Sequence, residues 1–491
     1  MTTSKAISVV RRYALSPSAF LALGAVLYAW VQLDVIGVEQ PLEWDEAVYW
    51  TQVVSGPSAP YLETRAPGIV LIAWPASLLT RSVETMRAYL AGCSALLFFI
   101  ALRPWISVAG RATAGATLLL LAVWPAVYYG SSLSPNLFAA FALAGAFGYG
   151  LRCIQDHARW EEAALVALCF LACLLRPSDA VLALLPLGLA SLLLRRFRLA
   201  SLLALGVALG AVAWIVEAEL VFSGTLERLS AAASHVGSDK RKLAGYVAHL
   251  QSYEQGQLLR EVKKVRDASH ATATWKLLCA LGLVATVVAG VRRNRELFAV
   301  LLAALLAAVA VALFYFERVT LQAPRFLLPC YLLLIPHAVV LARMLLSRCF
   351  LWIPLAALAM GAAHLMLWSV DIADRVQADM ARSLRGPKII GVFVASLVPE
   401  GEPCAIDGRF GRPQLVFYSG CHPGYFREKT GEFGLPDSPG LRKRIGRNVF
   451  YTSPKGRFAR RNPYRRWERI RVPKLRRWKV FRPRSVADIP D

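Results

Sequence analysis

Apolar runs close to membrane-spanning length recur along the first 370 residues, and short loops rich in arginine separate them. A hydrocarbon layer about 30 Å thick needs roughly 20 consecutive apolar residues per helix, because the backbone must satisfy its own polar groups there. That feature alone points away from a soluble fold and towards a polytopic helical membrane protein. The chain of 491 residues is 56% hydrophobic and only 18% charged, with a mean hydropathy of +0.47, which fits the same class. No cleavable leader is expected. "MTTSKAISVVRRYALSPSAF" starts basic, but no small-residue cleavage site closes the apolar run that follows, so that run reads as a retained first helix.

Arginine and lysine mark the cytoplasmic ends of spans. Lys5, Arg11 and Arg12 direct the first helix outward, and further basic loops lie at 103–111, 152–159, 195–198 ("RRFR"), 292–295 ("RRNR") and 343–348. Two spans separate each of these loops from the next, which puts them all on one side. "APGIVLIAWPASLLT" (66–80) has two prolines and is too short to cross, so it reads as a re-entrant or interfacial helix. Eleven spans result: 18–37, 87–102, 112–129, 133–151, 160–175, 179–194, 199–221, 273–291, 296–315, 325–345 and 349–369. The expected fold is an all-α polytopic membrane domain over 1–370, with outer loops at 38–84 and 223–274. A basic C-terminal domain over 371–491 follows, outside the cytoplasm. The N-terminus is then cytoplasmic and the protein integral to the plasma membrane.

The net charge is formally +24, and more than half of it lies after Asp371. An extracytoplasmic position argues against nucleic acid as its partner and for anionic headgroups or glycans. The second outer loop has apolar residues at helical spacing (Leu243, Val247, Leu250; Leu258, Leu259, Val262) among Lys240, Arg241, Lys242, Arg260, Lys263, Lys264 and Arg266. That composition predicts amphipathic helices on an anionic membrane surface. In the tail, "IIGVFVASL" and "PQLVFYSG" read as strands, giving a small α/β domain to about residue 444 and an irregular Arg-rich extension beyond. Seven of the nine cysteines lie in apolar segments and read as small buried hydrophobes. Cys404 and Cys421 lie in the polar tail, and an oxidising compartment predicts a disulfide between them.

The first outer loop carries the chemistry. "EQPLEWDEAVYW" sets Asp45 and Glu46 among Trp44, Tyr49 and Trp50 just past the first span. Read as structure, the aromatics are an interfacial belt, Asp45 caps a short helix and Glu46 favours its dipole. Read as function, the same loop adds "YLETRAPG", with Tyr61, Glu63 and Arg65 before Pro67-Gly68. A carboxylate to accept a hydroxyl proton and a guanidinium to neutralise a departing phosphate suit transfer from a lipid-linked phosphate ester.

"WDEAVYW", followed about twenty residues on by "ETRAPGIVLIAW", resembles the first-loop signature of integral-membrane C-type glycosyltransferases. The nearest branch holds lipid A aminoarabinose transferases and protein O-mannosyltransferases. "MRAYLAGCSALL", "LLRPSDAVLALLPL" and "APRFLLPCYLLLIP" extend the resemblance in the expected order. It implies a polyprenyl-phosphate sugar donor, an external acceptor and inversion of the sugar. Asp45 takes the catalytic base position and Glu46 its companion. Arg65 occupies the basic position facing the donor phosphate, and Arg325 is a second phosphate contact. Arg87 and Arg176 also fall on the outer side, as phosphate contacts or as interfacial snorkelling side chains. Trp44, Tyr61, Glu63 and Asn136 are expected to touch substrate.

One departure is visible. Where the family often carries a second acid, this chain has "SSLSPNLF", with Ser134, Pro135 and Asn136. Asp45 and Glu46 alone supply too few ligands for a defined divalent-metal site, so a metal is doubtful. His235, His249 and His270 have no ligand spacing and read as surface or lid residues. The competing class is a transporter or flippase of a lipid-linked glycan, against which stand the absence of paired repeats and the clustering of polar residues at one face. A scaffold for envelope assembly would explain the basic tail but not the first loop. The acceptor is expected to be an anionic lipid or glycan, such as a lipopolysaccharide core; the sugar stays open.

Overall fold

The computed structural model describes residues 16–55, 65, 67–155, 158–222, 224–236, 246, 249, 252–253, 260–261, 272–318, 321–346, 352–408, 412–426, 433–434, 444–453, 467–473, 475 and 478–485. Its longer helices, in chain order, are α1 (Pro17–Trp30, continued by the π-helical Val31–Ile36), α2 (Trp44–Ser55), α3 (Gly68–Leu79), α4 (Val83–Leu102), α5 (Ala116–Leu121), α6 (Trp124–Tyr128) and α7 (Pro135–Gln155). There follow α8 (Arg159–Leu175), α9 (Pro177–Leu193), α10 (Phe197–Val221), α11 (Thr225–Val236), α12 (Thr272–Val291), α13 (Arg295–Arg318), α14 (Leu328–Leu346), α15 (Trp352–Ala395) and α16 (Arg412–Ser419).

Among the described residues seven helical runs are long and apolar enough to cross a membrane: Pro17–Ile36, Val83–Leu121, Pro135–Gln155, Phe197–Val221, Thr274–Val291, Arg295–Glu317 and Pro324–Leu345. The protein is therefore an integral membrane protein with a predominantly helical polytopic fold. α1 begins as its sequence dictates: the Ser16 hydroxyl accepts the Ala19 N–H at 3.1 Å, and Pro17 occupies a position whose amide needs no partner. α3, at 12 residues, is about 18 Å long, too short for a span, as Pro67 before it and Pro75 within it suggest.

Three sequence expectations need correction. The span drawn at 112–129 is not one helix: a 3₁₀ segment Gly110–Gly115, α5 and α6 follow one another. Gly110 has φ +56°, and Pro125 cannot donate within a continuing ladder. "IIGVFVASL" is not a strand; it ends α15, a 44-residue helix that runs well past Asp371. "PQLVFYSG" is helical too, forming α16. In both, β-branched residues fit a helix because tertiary burial overrides a weak local preference. Most of the amphipathic stretch expected at 240–266 lies outside the described residues, as do Tyr61, Glu63 and His270.

The chain divides into two compact units. The first comprises Met1–Val38, Glu63–Leu71 and Arg87–Gln377; the second comprises Glu39–Leu62, Ile72–Met86 and Ala378–Asp491. In the first, α7 is central, with 94% of its spanning window buried. α8 packs on α10 through Gly206 and Gly210, one turn apart. A side chain added at either would come within 2.6 Å of the Cβ of Cys169 or Cys173. Close backbone approach through small residues is how helices associate where lipid removes the hydrophobic drive. α10 turns an exposed apolar face outward through Leu205, Leu209, Val212, Val216 and Leu220, the surface a lipid-facing helix requires.

The second unit is built on a five-stranded sheet of β1 (Ala405–Gly408), β2 (His422–Pro423), β3 (Val449–Ser453), β4 (Glu468–Arg471) and β5 (Lys479–Arg482), in the order β2-β1-β3-β5-β4. β1 pairs in parallel with β2 and β3; β5 pairs antiparallel with β3 and β4. Its core joins Ile390 and Val394 of α15 to Ile406, Leu415, Phe450 and Val480. A disulfide links Cys404 and Cys421, 17 residues apart, and both cysteines belong to that core. Replacing both by serine is expected to cost this unit about 3 kcal/mol. Thermal unfolding of the variant against wild type, followed in the near ultraviolet, checks this; an unchanged midpoint contradicts it.

Candidate functional site

In the second unit, α2 starts with a side-chain cap. The Glu43 carbonyl accepts the Ala47 N–H at 2.9 Å, and the buried Glu46 carboxylate accepts the Glu43 N–H at 2.9 Å. Glu43 is therefore the residue at which the helix begins, and Glu46 plays the returning partner of a capping box. The expectation that Asp45 caps this helix is corrected: Asp45 lies in the first turn and is half-buried. Trp44 is exposed, whereas Tyr49 and Trp50 are buried.

The segment entering α2 is held by the C-terminal helix α16. The Tyr418 hydroxyl accepts the Leu42 N–H at 3.2 Å, and the Gln414 amide donates to the Leu42 carbonyl at 3.3 Å. Both polar groups of one backbone residue are thus fixed by side chains one helical turn apart. Lys388 stands over the Tyr418 ring at 5.9 Å and is 3.9 Å from Glu84. A cleft of about 520 Å³ here is lined by Thr51, Val54, Arg81, Tyr418 and His422, among others. Burial lowers the His422 pKa, which leaves Arg81 as the cation of that cleft near neutral pH. A second cleft of about 600 Å³ gathers Arg444, Arg447 and Arg482 around Asn448.

In the first unit the predicted arginines sit in a polar frame. Arg65 precedes α3, and its carbonyl accepts the Arg228 guanidinium at 2.6 Å. Arg228 is fully buried between Trp214 (4.1 Å) and Phe222 (4.4 Å), and pairs with Glu217 at 2.7 Å. Gly68, which opens α3, lies against the backbone of Leu174 and Leu175: a side chain there would meet main-chain atoms at 2.9 Å. Only glycine allows α3 to start beside the end of α8, directly before Arg176.

Arg176 joins α8 to α9. It pairs with Asp179 at 3.3 Å and donates to the Tyr315 hydroxyl, which in turn donates to Asp179 at 2.7 Å. Its charge is thereby matched. Tyr315 stacks flat on Phe326, with centroids 5.0 Å apart. The neighbouring Arg325 donates to the Tyr129 hydroxyl at 3.4 Å and lies over its ring. Arg176 and Arg325 thus belong to one chain of contacts running from α9 to the loop before α7. Asn136, buried at the start of α7, accepts a hydrogen bond from the Ser134 hydroxyl at 3.2 Å. Arg87 is 1% exposed, which excludes the snorkelling alternative.

His249 is likewise 1% exposed, not a surface residue, and lies 3.3 Å from the Tyr331 hydroxyl. Burial pushes its imidazole from 6.5 down to about 3. The unfolded chain therefore takes up a proton that the folded chain refuses, so stability is intact above about pH 6.5 and lost as pH falls towards 3. The loss should reach about 3 kcal/mol by about pH 4. Unfolding midpoints measured across that range should fall for wild type and flatten for His249→Phe; parallel curves would contradict the assignment.

Sequence reasoning did not single out Arg228, Tyr129, Asp179, Tyr315, Gln414 or Tyr418. Asp179 was legible, three residues after Arg176 at ion-pair spacing. The others are brought in from distant segments. Among the described residues no three His, Cys, Asp or Glu side chains converge as a metal site would require.

Residues 13–222 match the model of the Alg9-like mannosyltransferase family. A search among curated proteins finds no match. ArnT from Cupriavidus metallidurans bound to undecaprenyl phosphate superposes with a TM-score of 0.63 at 16% identity, over 94% of this chain and 97% of that one. Its apo state gives 0.61 at 17% identity, over 96% and 98%. The oligosaccharyltransferase of Archaeoglobus fulgidus in the apo form gives 0.52 at 12% identity, over 89% of this chain and 69% of that one. The chain has the integral-membrane C-type glycosyltransferase fold.

Proposed function

We propose that this protein is a glycosyltransferase that moves a sugar from a polyprenyl-phosphate donor to an envelope glycan or lipid, with inversion, on the extracytoplasmic side of the plasma membrane. The observation that carries the reading is the first-loop pattern, Asp45 in the first turn of α2 and Arg65 before α3, in a chain whose fold it shares with an ArnT bound to undecaprenyl phosphate.

The Asp45 carboxylate removes the proton from the acceptor hydroxyl as its oxygen attacks the anomeric carbon. The bond from that carbon to the phosphate oxygen breaks, and its electron pair leaves with the polyprenyl phosphate. Arg65 and Arg325 neutralise the charge that develops there. Arg176, matched by Asp179, orients its surroundings, and Glu46 holds the helix that presents Asp45. Trp44, Tyr61, Glu63 and Asn136 contact substrate, and Arg87 lends a buried positive charge. Residues 1–370 hold the donor, with the N-terminus cytoplasmic, and the basic residues 371–491 attract an anionic acceptor from outside.

Detergent separates this reading from transport. With no membrane to divide compartments, a flippase leaves no chemical trace, whereas a transferase converts polyprenyl-phosphate sugar to bare polyprenyl phosphate. The purified full chain, incubated with such donors and extracted envelope lipids, should release polyprenyl phosphate in an acceptor-dependent way. Intact donor under every condition would contradict transfer and favour the transporter.

A further inference from the structure

The start of α7 is unusually rich in buried polar atoms. Ser131, Ser132 and Asn136 are 0%, 1% and 2% exposed. Among the described residues the Ser131 and Ser132 hydroxyls and the Asn136 amide nitrogen have no hydrogen-bond partner. Native proteins rarely leave such groups unsatisfied, and three within six residues call for a partner from outside the chain. The carbonyl end of Asn136 is already taken by Ser134, so the side chain offers its amide hydrogens. These groups stand at the N-terminus of a 21-residue helix, where the first backbone N–H groups are unbonded and the dipole is positive. Arg325, through Tyr129, borders the same loop. From residue 85 through 155 the chain has no aspartate or glutamate.

Taken together, these are buried hydroxyl and amide groups at a positive helix end, with no carboxylate of their own segment to receive an ammonium group. Resting on the glycosyl-transfer reading, we infer that Ser131, Ser132 and Asn136 recognise the hydroxyl oxygens of the transferred sugar, and that the donor carries an oxygen-rich sugar without an amino group. Sugar hydroxyls, which both donate and accept, satisfy the serine groups and the amide alike, whereas an ammonium, which only donates, would leave the Asn136 amide unpaired and meet a like-signed dipole.

The test is a donor panel on the purified full chain: polyprenyl-phosphate hexose and polyprenyl-phosphate aminohexose of one chain length. Wild type should favour the hexose by about tenfold or more in kcat/KM. Ser131→Ala with Ser132→Ala, and separately Asn136→Ala, should raise the hexose KM about tenfold with kcat and the unfolding midpoint little changed. Asn136→Asp should shift preference towards the aminohexose. Equal or better use of the aminohexose by wild type, or alanine variants with unchanged hexose KM, would overturn the inference while leaving glycosyl transfer intact. Consumption of neither donor, nor of any other polyprenyl-phosphate sugar, would overturn both.

Discussion

Asp45→Asn is expected to lower kcat by a factor on the order of 10³ while leaving the unfolding midpoint of the protein where it was. The reason lies in how α2 begins. Were Asp45 the cap of that helix, asparagine would be a good cap too and the substitution nearly silent. The cap is instead formed by Glu43 and Glu46, whose carboxylate accepts the Glu43 N–H at 2.9 Å. Asp45 sits one position from it, in the first turn, with no share in that bond. Asparagine preserves its size and removes its charge and basicity. Glu46→Gln provides the contrasting case: it weakens the cap, so about 1 kcal/mol of stability should go with whatever activity is lost. Measuring kcat and the unfolding midpoint for both variants separates the roles. An active Asp45→Asn protein would remove the proposed base.

Arg228→Leu should produce the largest loss of stability of any single change in the first unit, about 3 kcal/mol or more. The side chain is fully buried, lies between two aromatic faces and joins Glu217 to the Arg65 carbonyl. Its removal strands the carboxylate and releases the backbone of a proposed phosphate-binding residue. The donor KM should rise as well, because the Arg65 backbone then loses the Arg228 bond. Arg228→Lys tests the geometry apart from the charge. A single ammonium can keep Glu217 but cannot fork to the Arg65 carbonyl, so stability should partly return while KM stays high. If KM were normal in both variants, Arg228 would be a packing residue without influence on Arg65.

The membrane helices were legible because length and arginine placement are set by the bilayer itself. α10 and α13 lie within a few residues of the positions read from hydropathy. The break across 110–128 was signalled only by Gly110, Gly115 and Pro125, each tolerable within a membrane helix. The tail misled because β-branched runs look alike in strands and in buried helices; Ile389 to Val394 is helical since α15 continues beyond the apolar stretch and packs on the sheet. Asp45, Glu46 and Arg65 stood out through their pattern of charge among aromatics. Their supports did not. Arg228 follows Arg65 by 163 residues, and Gln414 follows Leu42 by 372, so only the folded chain brings them together.

The central claim is tested most directly by mass spectrometry of envelope lipids and glycans from cells with and without the gene, each complemented by wild type or Asp45→Asn. The account predicts that one envelope species loses the mass of a single sugar, that wild type restores it and that the variant does not. Restoration by Asp45→Asn, or an unchanged profile on deletion, would contradict it.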